Sequence, residues 1–232
     1  MLELLNKYDL SIRFSADGFS LLINETGNKI SSRRISCSIF SQSKDEIIDT
    51  LSEVQELNTA YATTRLICES DTYAVIPSEI FEENIAADLL RAQHPEFKTD
   101  DEIAWNRLLA WNAVIVFAVP KTLFAVLNGS FPEIEIEHHI FAFVNDFVEL
   151  QNSTAVFIED RNSKLDAVVI RQGNLQLINT FPYTAKEDFL YQILNIYTVL
   201  DLDIEHCPLK IHFEKPKAEI LELLKKYLKE CE

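Results

Sequence analysis

Apolar runs separated by tight-turn residues recur in the same order in two parts of this 232-residue chain. Short runs rich in β-branched and aromatic residues predict strands, and apolar residues spaced by three and four positions predict helices. In both parts the predicted order is strand, strand, strand, helix, strand, helix. The predicted strands are residues 10–14, 19–24, 29–36 and 65–68 in the first part and residues 154–159, 165–171, 175–180 and 209–213 in the second.

The two parts share landmarks at nearly one spacing. Glycine–asparagine pairs, which favour turns because glycine tolerates positive φ, begin at Gly27 and Gly173. Predicted capping boxes, in which a Ser or Thr precedes a Glu by three residues, begin at Ser43 and Thr184. These landmarks and the fourth strands are offset by 141 to 146 residues. The sequence therefore predicts a duplicated α/β unit.

The residues between the two repeats predict further elements of the first domain. A helix is expected from Ser78, and strands are expected at residues 102–105 and 113–119. Pro120 and Gly129 predict the start and the end of another helix, because proline suits the first turn and glycine suits the position after the last. The predicted domains are residues 1–150 and 151–232.

Charge and composition narrow the functional classes. The net charge is −16, and an acidic surface is repelled by a phosphate backbone, which argues against nucleic-acid binding. The four cysteines form no C-x-x-C pair, so we expect reduced thiols in a cytoplasmic protein. No signal peptide is expected, because "MLELLNKYDL" lacks a basic n-region and an apolar h-region. No membrane span is expected, because no apolar run approaches about 18 residues.

Metal ligands are also scarce. Neighbouring residues of a strand face opposite ways, so His138 and His139 are expected to point apart. The pair His206 and Cys207 has no third ligand in view, whereas zinc needs three or four. We therefore predict no metal site and no cofactor.

The doubled order of elements resembles the actin-like ATPase superfamily, which includes actin, hexokinase and the pilus-assembly and cell-division actin-like proteins. The sequence is also similar to one uncharacterised family found mainly in Bacteroidetes, through "LSIRFSADGFSLLI", "AVIVFAVP" and above all "LINTFPYTAKEDFLYQIL". The most specific part is the F-x-Y-x-x-x-E-D-F-x-Y core from Phe181 to Tyr191. The resemblance implies an α/β protein of two tandem actin-like (ribonuclease-H-like) domains, each with a mixed sheet flanked by helices. It implies no known activity.

Four aromatic residues in this core are expected to pack between the third strand and the helix that follows. The alternative is a groove for a partner, since aromatic residues are enriched at interface anchors. The four are Phe181, Tyr183, Phe189 and Tyr191.

The resemblance also indicates where a nucleotide site would lie. In actin-like ATPases, backbone N–H groups in the first hairpin turn of each domain hold phosphates, and an aspartate beside each turn holds magnesium through water or orients the attacking water. The matching candidates for nucleotide binding are Asp17 and Gly18 in the first domain and Asp160 and Asn162 in the second.

The distribution of glycine argues against a working ATPase site. A phosphate-cradling turn needs glycine or small residues so that the backbone can approach the anion. The chain has four glycines, and the second turn, "EDRNSKLD", contains none. After the strand at 209–213, where the family usually has a glycine, this chain has Glu214-Lys215-Pro216. We therefore predict a non-catalytic actin-like module, a pseudo-ATPase, that binds another protein. The Asp17-Gly18 turn keeps a divergent nucleotide-binding ATPase open as the alternative.

Overall fold

A computed structural model describes residues 7–25, 28–97, 100–145, 154–161, 163–213 and 217–231. The chain divides into two compact units, Met1–Ala142 and Phe143–Glu232. The predicted boundary between residues 150 and 151 falls among residues 146–153, outside the described residues, and stays a prediction. None of the described helices is long and apolar enough to cross a membrane.

The first unit contains a five-stranded mixed sheet and a three-stranded antiparallel sheet. In chain order, its strands are β1 Tyr8–Ser15, β2 Gly18–Glu25, β3 Asn28–Ser36, β4 Thr63–Cys68, β5 Tyr73–Pro77, β6 Glu102–Leu108, β7 Ala113–Val119 and β8 Ile136–His138, and its helices are α1 Lys44–Ser52, α2 Ala86–Gln93 and α3 Lys121–Ser130. The strand orders are β3-β2-β1-β4-β8 and β5-β7-β6. Helix α4, His139–Asn145, begins in this unit and ends in the second.

The five-stranded sheet is encoded by alternating apolar residues in its strands and by a capping box at the start of the helix that connects them. Leu10, Ile12 and Phe14 are buried on one face of β1, which pairs antiparallel with β2 and parallel with β4. Helix α1 makes the crossover between β1 and β4 that a parallel pair requires. Its predicted capping box is confirmed, because Ser43 N–H donates to the Glu46 carboxylate at 2.8 Å and Glu46 N–H donates to Ser43 Oγ at 3.4 Å.

Two predictions about the inserted elements are wrong. The helix predicted from Ser78 begins at Ala86, because Ser78 N–H donates to Asn112 O at 2.8 Å and Ile80 N–H donates to Pro77 O, which makes a turn after β5. Gly129 lies inside α3, which continues to Ser130, and does not follow its end.

The second unit repeats the core of the first with fewer elements. Its strands are β9 Ala155–Asp160, β10 Lys164–Arg171, β11 Asn174–Pro182 and β12 Leu209–Phe213, and its helices are α5 Lys186–Val199 and α6 Ala218–Leu224. The strand order is β11-β10-β9-β12. Strand β9 pairs antiparallel with β10 and parallel with β12, as β1 pairs with β2 and β4. The predicted order of elements is therefore confirmed in the second unit, whereas in the first unit an unpredicted strand, β5, stands between β4 and α2.

The turn between β10 and β11 is centred on Gln172 and Gly173, whose φ angles are +50° and +78°. This centre lies one residue before the predicted Gly173-Asn174 pair. The matching turn at Gly27 lies outside the described residues.

The start of α5 differs from its predicted form. The predicted capping box joined Thr184 to Glu187, but the carboxylate that caps the helix belongs to Asp188. It accepts hydrogen bonds from the backbone N–H groups of Thr184 at 3.1 Å and Ala185 at 3.0 Å. The helix begins at Lys186, so the third helical position, which suits this contact, falls one residue later than predicted.

Three of the four predicted core aromatics are buried or partly buried. Phe189 is fully buried, Tyr183 is buried, and Phe181 packs partly against the core. Tyr191 was predicted wrongly, because 65% of it is exposed. It follows Phe189 by two positions, which turns it toward the opposite side of a helix.

Candidate functional site

The first candidate turn joins β1 to β2 through Ala16 and Asp17. Ser15 Oγ donates to Asp17 Oδ1 at 2.7 Å, and Arg34 Nη2 from β3 lies 2.7 Å from Oδ2. The Ser15 hydrogen bond, and after it the Arg34 guanidinium, lowers the pKa of Asp17. Its side chain is 77% exposed. Asp17 is therefore an ionised, solvent-facing carboxylate that already has a cation.

The structure explains the glycine at position 18 without any ligand. Its φ is +138°, a conformation that L side chains rarely adopt. A Cβ at this position would lie 2.0 Å from the carbonyl oxygen of Ile35 in β3. The glycine therefore allows β3 to approach the hairpin turn closely.

The second candidate turn joins β9 to β10, and its described backbone groups are used inside the protein. Arg161 N–H donates to Lys164 O, and Ser163 N–H donates to Arg161 O, both at 2.8 Å. Ser163 O in turn accepts from Tyr183 N–H at 2.9 Å. Asn162, the fourth predicted site residue, lies outside the described residues. The two described N–H groups of this turn are thus committed to the chain itself.

Asp160, at the end of β9, lies in a buried three-residue cluster that we call the Asp160 triad: Asp160, Tyr183 and Lys217. The Asp160 side chain has no exposed surface. Tyr183 Oη donates to its Oδ1, and Lys217 Nζ lies 2.7 Å from its Oδ2. Lys217 Nζ also donates to Tyr183 Oη at 2.5 Å. The carboxylate thus has one neutral donor and one cation.

Burial and hydrogen bonds together set the protonation states of Tyr183 and Lys217. Burial, and after it the hydrogen bond to Asp160, raises the pKa of Tyr183, so the phenol stays neutral. Burial by itself lowers the pKa of Lys217, but the bonds to Asp160 and Tyr183 outweigh it, so that pKa is raised and the ammonium stays charged. The triad is therefore a buried ion pair at neutral pH, stabilised by a shared hydroxyl.

A second buried ion pair lies beside the triad. Arg161 Nε and Nη2 contact the two carboxylate oxygens of Asp166 at 2.5 and 3.0 Å, and Thr180 Oγ1 donates to the same carboxylate at 2.6 Å. Asp166 is fully buried. The arginine that could have neutralised a phosphate at this turn is thus paired within the unit.

The ionic and hydrogen-bonding partners of the candidate residues, Lys217, Tyr183 and Asp166, were not predicted from the sequence. Asp166 had a usable signal, because an aspartate inside the apolar run "LDAVVI" needs a cation or donors when that run is buried. Lys217 had no local signal, since it lies 57 residues from Asp160. Only the fold brings β9 and the start of α6 together.

The histidine pair is arranged differently from its predicted form. His138 ends β8 and His139 begins α4, so their rings lie side by side with centroids 4.2 Å apart. His138 Nε2 lies 2.9 Å from Ser70 O, and Ile140 N–H donates to its Nδ1 at 3.3 Å. Within the described ranges, no group of three or more His, Cys, Asp or Glu side chains is placed to hold a metal ion.

Comparison with known proteins places the chain in a family. A family model described as protein of unknown function (DUF3822) matches residues 2–231. The chain belongs to DUF3822. No curated protein matches the DUF3822 chain significantly.

Solved structures similar to the DUF3822 chain share the actin-like fold. A Bacteroides thetaiotaomicron VPI-5482 protein with actin-like ATPase fold and unknown function is 25% identical, with a TM-score of 0.82 over 99% of this chain and 91% of that one. The matching chain of the PilM–PilN type IV pilus biogenesis complex is 10% identical, with a TM-score of 0.59 over 96% of this chain and 86% of that one. The ethanolamine utilization protein EutJ from Carboxydothermus hydrogenoformans is 10% identical, with a TM-score of 0.50 over 99% of this chain and 89% of that one.

These comparisons confirm two predictions for the DUF3822 chain: its membership of an uncharacterised family and its α/β actin-like fold. The pilus and ethanolamine-utilization proteins show the fold alone.

Proposed function

We propose that this DUF3822 protein is a non-catalytic actin-like module that acts by binding another protein. The observation that carries the proposal is the Asp160 triad. By resemblance, Asp160 stands where an actin-like ATPase has the aspartate beside its second hairpin turn. Here Tyr183 donates a hydrogen bond to one of its carboxylate oxygens, and the Lys217 ammonium lies 2.7 Å from the other, which accepts no hydrogen bond from the described residues.

The triad is costly to open. A carboxylate that serves magnesium must present an oxygen to the ion or to its water. Asp160 can do so only if Lys217 or Tyr183 withdraws, and removing one partner of a buried ion pair costs about 3–5 kcal/mol. A magnesium ion would therefore have to displace Lys217 and reach a carboxylate that has no exposed surface.

The backbone supports the same conclusion. Phosphate sites in turns depend on N–H groups that point at the anion. Those of Arg161 and Ser163 donate to carbonyl groups of their own turn. In the first unit, the close approach of Ile35 accounts for Gly18.

Binding a protein is compatible with this fold. PilM, a protein of the same fold, is solved in a complex with PilN. For the DUF3822 protein, the protein partner, the cytoplasmic location and the lack of nucleic-acid binding remain predictions.

A divergent nucleotide-binding ATPase is the second candidate, and one observation favours it. Asp17 remains exposed beside the first hairpin turn, where a solvated magnesium ion could reach it. In this alternative the first unit would carry the phosphate contacts.

Thermal unfolding with and without millimolar magnesium-ATP tests the proposal. A ligand at about a hundred times its Kd stabilises the folded state by about 2.7 kcal/mol, which raises Tm by roughly 5–11 °C for a chain of this size. We expect no such shift and no ATP hydrolysis. Asp17→Asn and Asp160→Asn, each compared with its own nucleotide-free Tm, should behave like the unmodified protein, as should Asp49→Asn, an exposed control.

A shift that Asp17→Asn abolishes and Asp49→Asn preserves would refute the proposal and establish nucleotide binding at the first turn, and ATP hydrolysis lost in the same variant would establish the ATPase alternative. A shift that survives substitution of both candidate aspartates would refute it too, and would place a nucleotide at another site.

A further inference from the structure

A groove of about 680 Å³ lies in the first unit beside the free edge of β6. It is lined by residues 103–107 of β6, residues 132–136 before and in β8, and Phe124, Asn128 and Phe141 from the helices. Side chains of a strand alternate between faces, so a cavity against one face would be lined by every second residue. Five consecutive residues on each side mean that both walls are edges of the main chain.

The edge of β6 is available for pairing. In the order β5-β7-β6 this strand is terminal, so alternate residues direct their N–H and C=O groups away from β7. One position is already used. Asn106 donates from Nδ2 to Ile136 O at 3.1 Å and accepts from His138 N–H at 2.7 Å through Oδ1. The buried Asn106 amide thus links the two walls by two hydrogen bonds, as a pair of strand residues would. Among the described residues, no other hydrogen bond joins the two walls of the groove.

The groove has an acidic wall, and on the opposite wall one cation, Arg107, whose guanidinium lies over the Phe81 ring at 5.1 Å. Glu133 and Glu135 are exposed and line the groove, and neither has an ion-pair partner among the described residues. Phe124, Ile134 and Phe141 supply apolar surface between and beside them. The two exposed carboxylates complement basic residues of a segment that lies along this wall.

We propose that this groove binds an extended segment of the partner protein, added as a strand to β6, in which apolar residues alternate with lysine or arginine. The inference rests on the proposed protein-binding function and names the chemistry of the partner. Asn106 already bridges the two walls, so the segment pairs with residues 103–105 of β6. These residues span about 10 Å, which fits about three residues of the segment. Main-chain hydrogen bonds would hold it, and the two glutamates would select its charge.

Selection from a displayed library of random twelve-residue peptides tests the proposal on the full chain. We expect the unmodified protein to enrich sequences in which apolar residues alternate with lysine or arginine. The double variant Glu133→Lys/Glu135→Lys should lose these peptides and enrich acidic ones. The matched control Asp49→Lys/Glu53→Lys makes the same change in net charge at an exposed position of α1 and at the exposed residue that follows its end, and it should enrich the same peptides as the unmodified protein.

A synthetic copy of an enriched peptide then tests strand addition. By fluorescence anisotropy, the Glu133→Lys/Glu135→Lys variant should bind it at least tenfold more weakly than the control does. N-methylation of alternate residues along one edge of the peptide should weaken binding at least tenfold, and methylation along the other edge should not. Hydrogen exchange of residues 103–105 should slow on binding. Equal Tm values for the two charge variants would show that both are folded.

Three results would overturn the proposal. In the first, the selection enriches no peptide. In the second, the Glu133→Lys/Glu135→Lys variant binds the peptide as tightly as the control does. In the third, N-methylation weakens binding along neither edge of the peptide. A dimer in sedimentation that the same double variant dissociates would assign the groove to a second copy of the chain. A nucleotide-induced Tm shift would refute the proposed function without changing the selected peptides, so the two failures are distinguishable.

Discussion

Replacing Lys217 with methionine is the sharpest test of the Asp160 triad. Methionine keeps an unbranched apolar stem and removes the ammonium, which leaves the Asp160 carboxylate fully buried with Tyr183 alone as a donor. Arg161, the neighbouring cation, is held by Asp166. Breaking a buried pair in this way costs about 3–5 kcal/mol, and the Lys217 side chain is only 24% exposed, so solvent screens the pair weakly.

A double-mutant cycle separates the ion pair from side-chain packing. Asp160→Asn combined with Lys217→Met removes both charges, so the double variant should be more stable than the sum of the single losses implies, by about 2 kcal/mol or more. Lys186→Met is the matched control, because its ion pair with Glu219 is exposed and such pairs are worth at most about 1 kcal/mol.

Urea unfolding followed by two probes measures these effects. Trp105 and Trp111, the two tryptophans of the chain, both lie in the first unit, so their fluorescence reports that unit. Circular dichroism reports both units. We expect Lys217→Met to destabilise the transition seen by circular dichroism. A loss below about 1 kcal/mol, or a coupling near zero, would refute the argument that this pair is a buried, interdependent charge pair.

Three further predictions follow from burial and backbone geometry. Gly18→Ala should destabilise the protein by more than about 1 kcal/mol because its Cβ meets a backbone carbonyl, whereas Gly129→Ala, helical with open space around it, should stabilise by about 0.5–1 kcal/mol. Phe189→Ala should cost about 3–5 kcal/mol and Tyr191→Ala less than about 0.5 kcal/mol, by urea unfolding. Stability should also fall as pH rises past about 10, because the raised pKa values of Tyr183 and its ammonium partner mean that the folded state holds these protons more tightly than the unfolded state.

Each of these predictions has a result that contradicts it. Equal effects of alanine at the two glycines would mean that the contact with Ile35 relaxes freely. A large loss for Tyr191→Ala would place that exposed ring in a contact. A urea midpoint that stays constant or increases between pH 9 and about 11.5 would mean that the two groups titrate as they do in the unfolded chain. Tyr183→Phe, which removes one titrating group, should reduce the alkaline loss.

Most elements could be predicted because their signals are local, although β5 was not predicted. Alternating Leu10, Ile12 and Phe14 identify a half-buried strand, and Ser43 with Glu46 identifies a helix start, within a few residues each. Strand direction then followed from the short turns and the helical crossovers. The wrong predictions also came from local patterns, which tertiary contacts overrode. Phe81 matched a helical period from Ser78, but it packs against Trp105 before α2 begins, with ring centroids 5.9 Å apart.

The candidate site was less predictable because its contacts are distant in sequence. Turn position alone suggested Asp17 and Asp160, and these two aspartates differ greatly in the structure. One is exposed beside Arg34, and the other is buried beside Lys217. No periodicity encodes that difference, since it depends on which elements pack over each turn.

The Asp160 triad has a consequence for how the protein responds to its surroundings. When a fold relies on a dissociable ion to balance a buried charge, its stability follows the concentration of that ion by mass action. Lys217 is covalently part of the chain and cannot be diluted or chelated. The charge of Asp160 is therefore balanced from within the chain, and the contribution of this ion pair to stability should not change with the concentration of divalent cations.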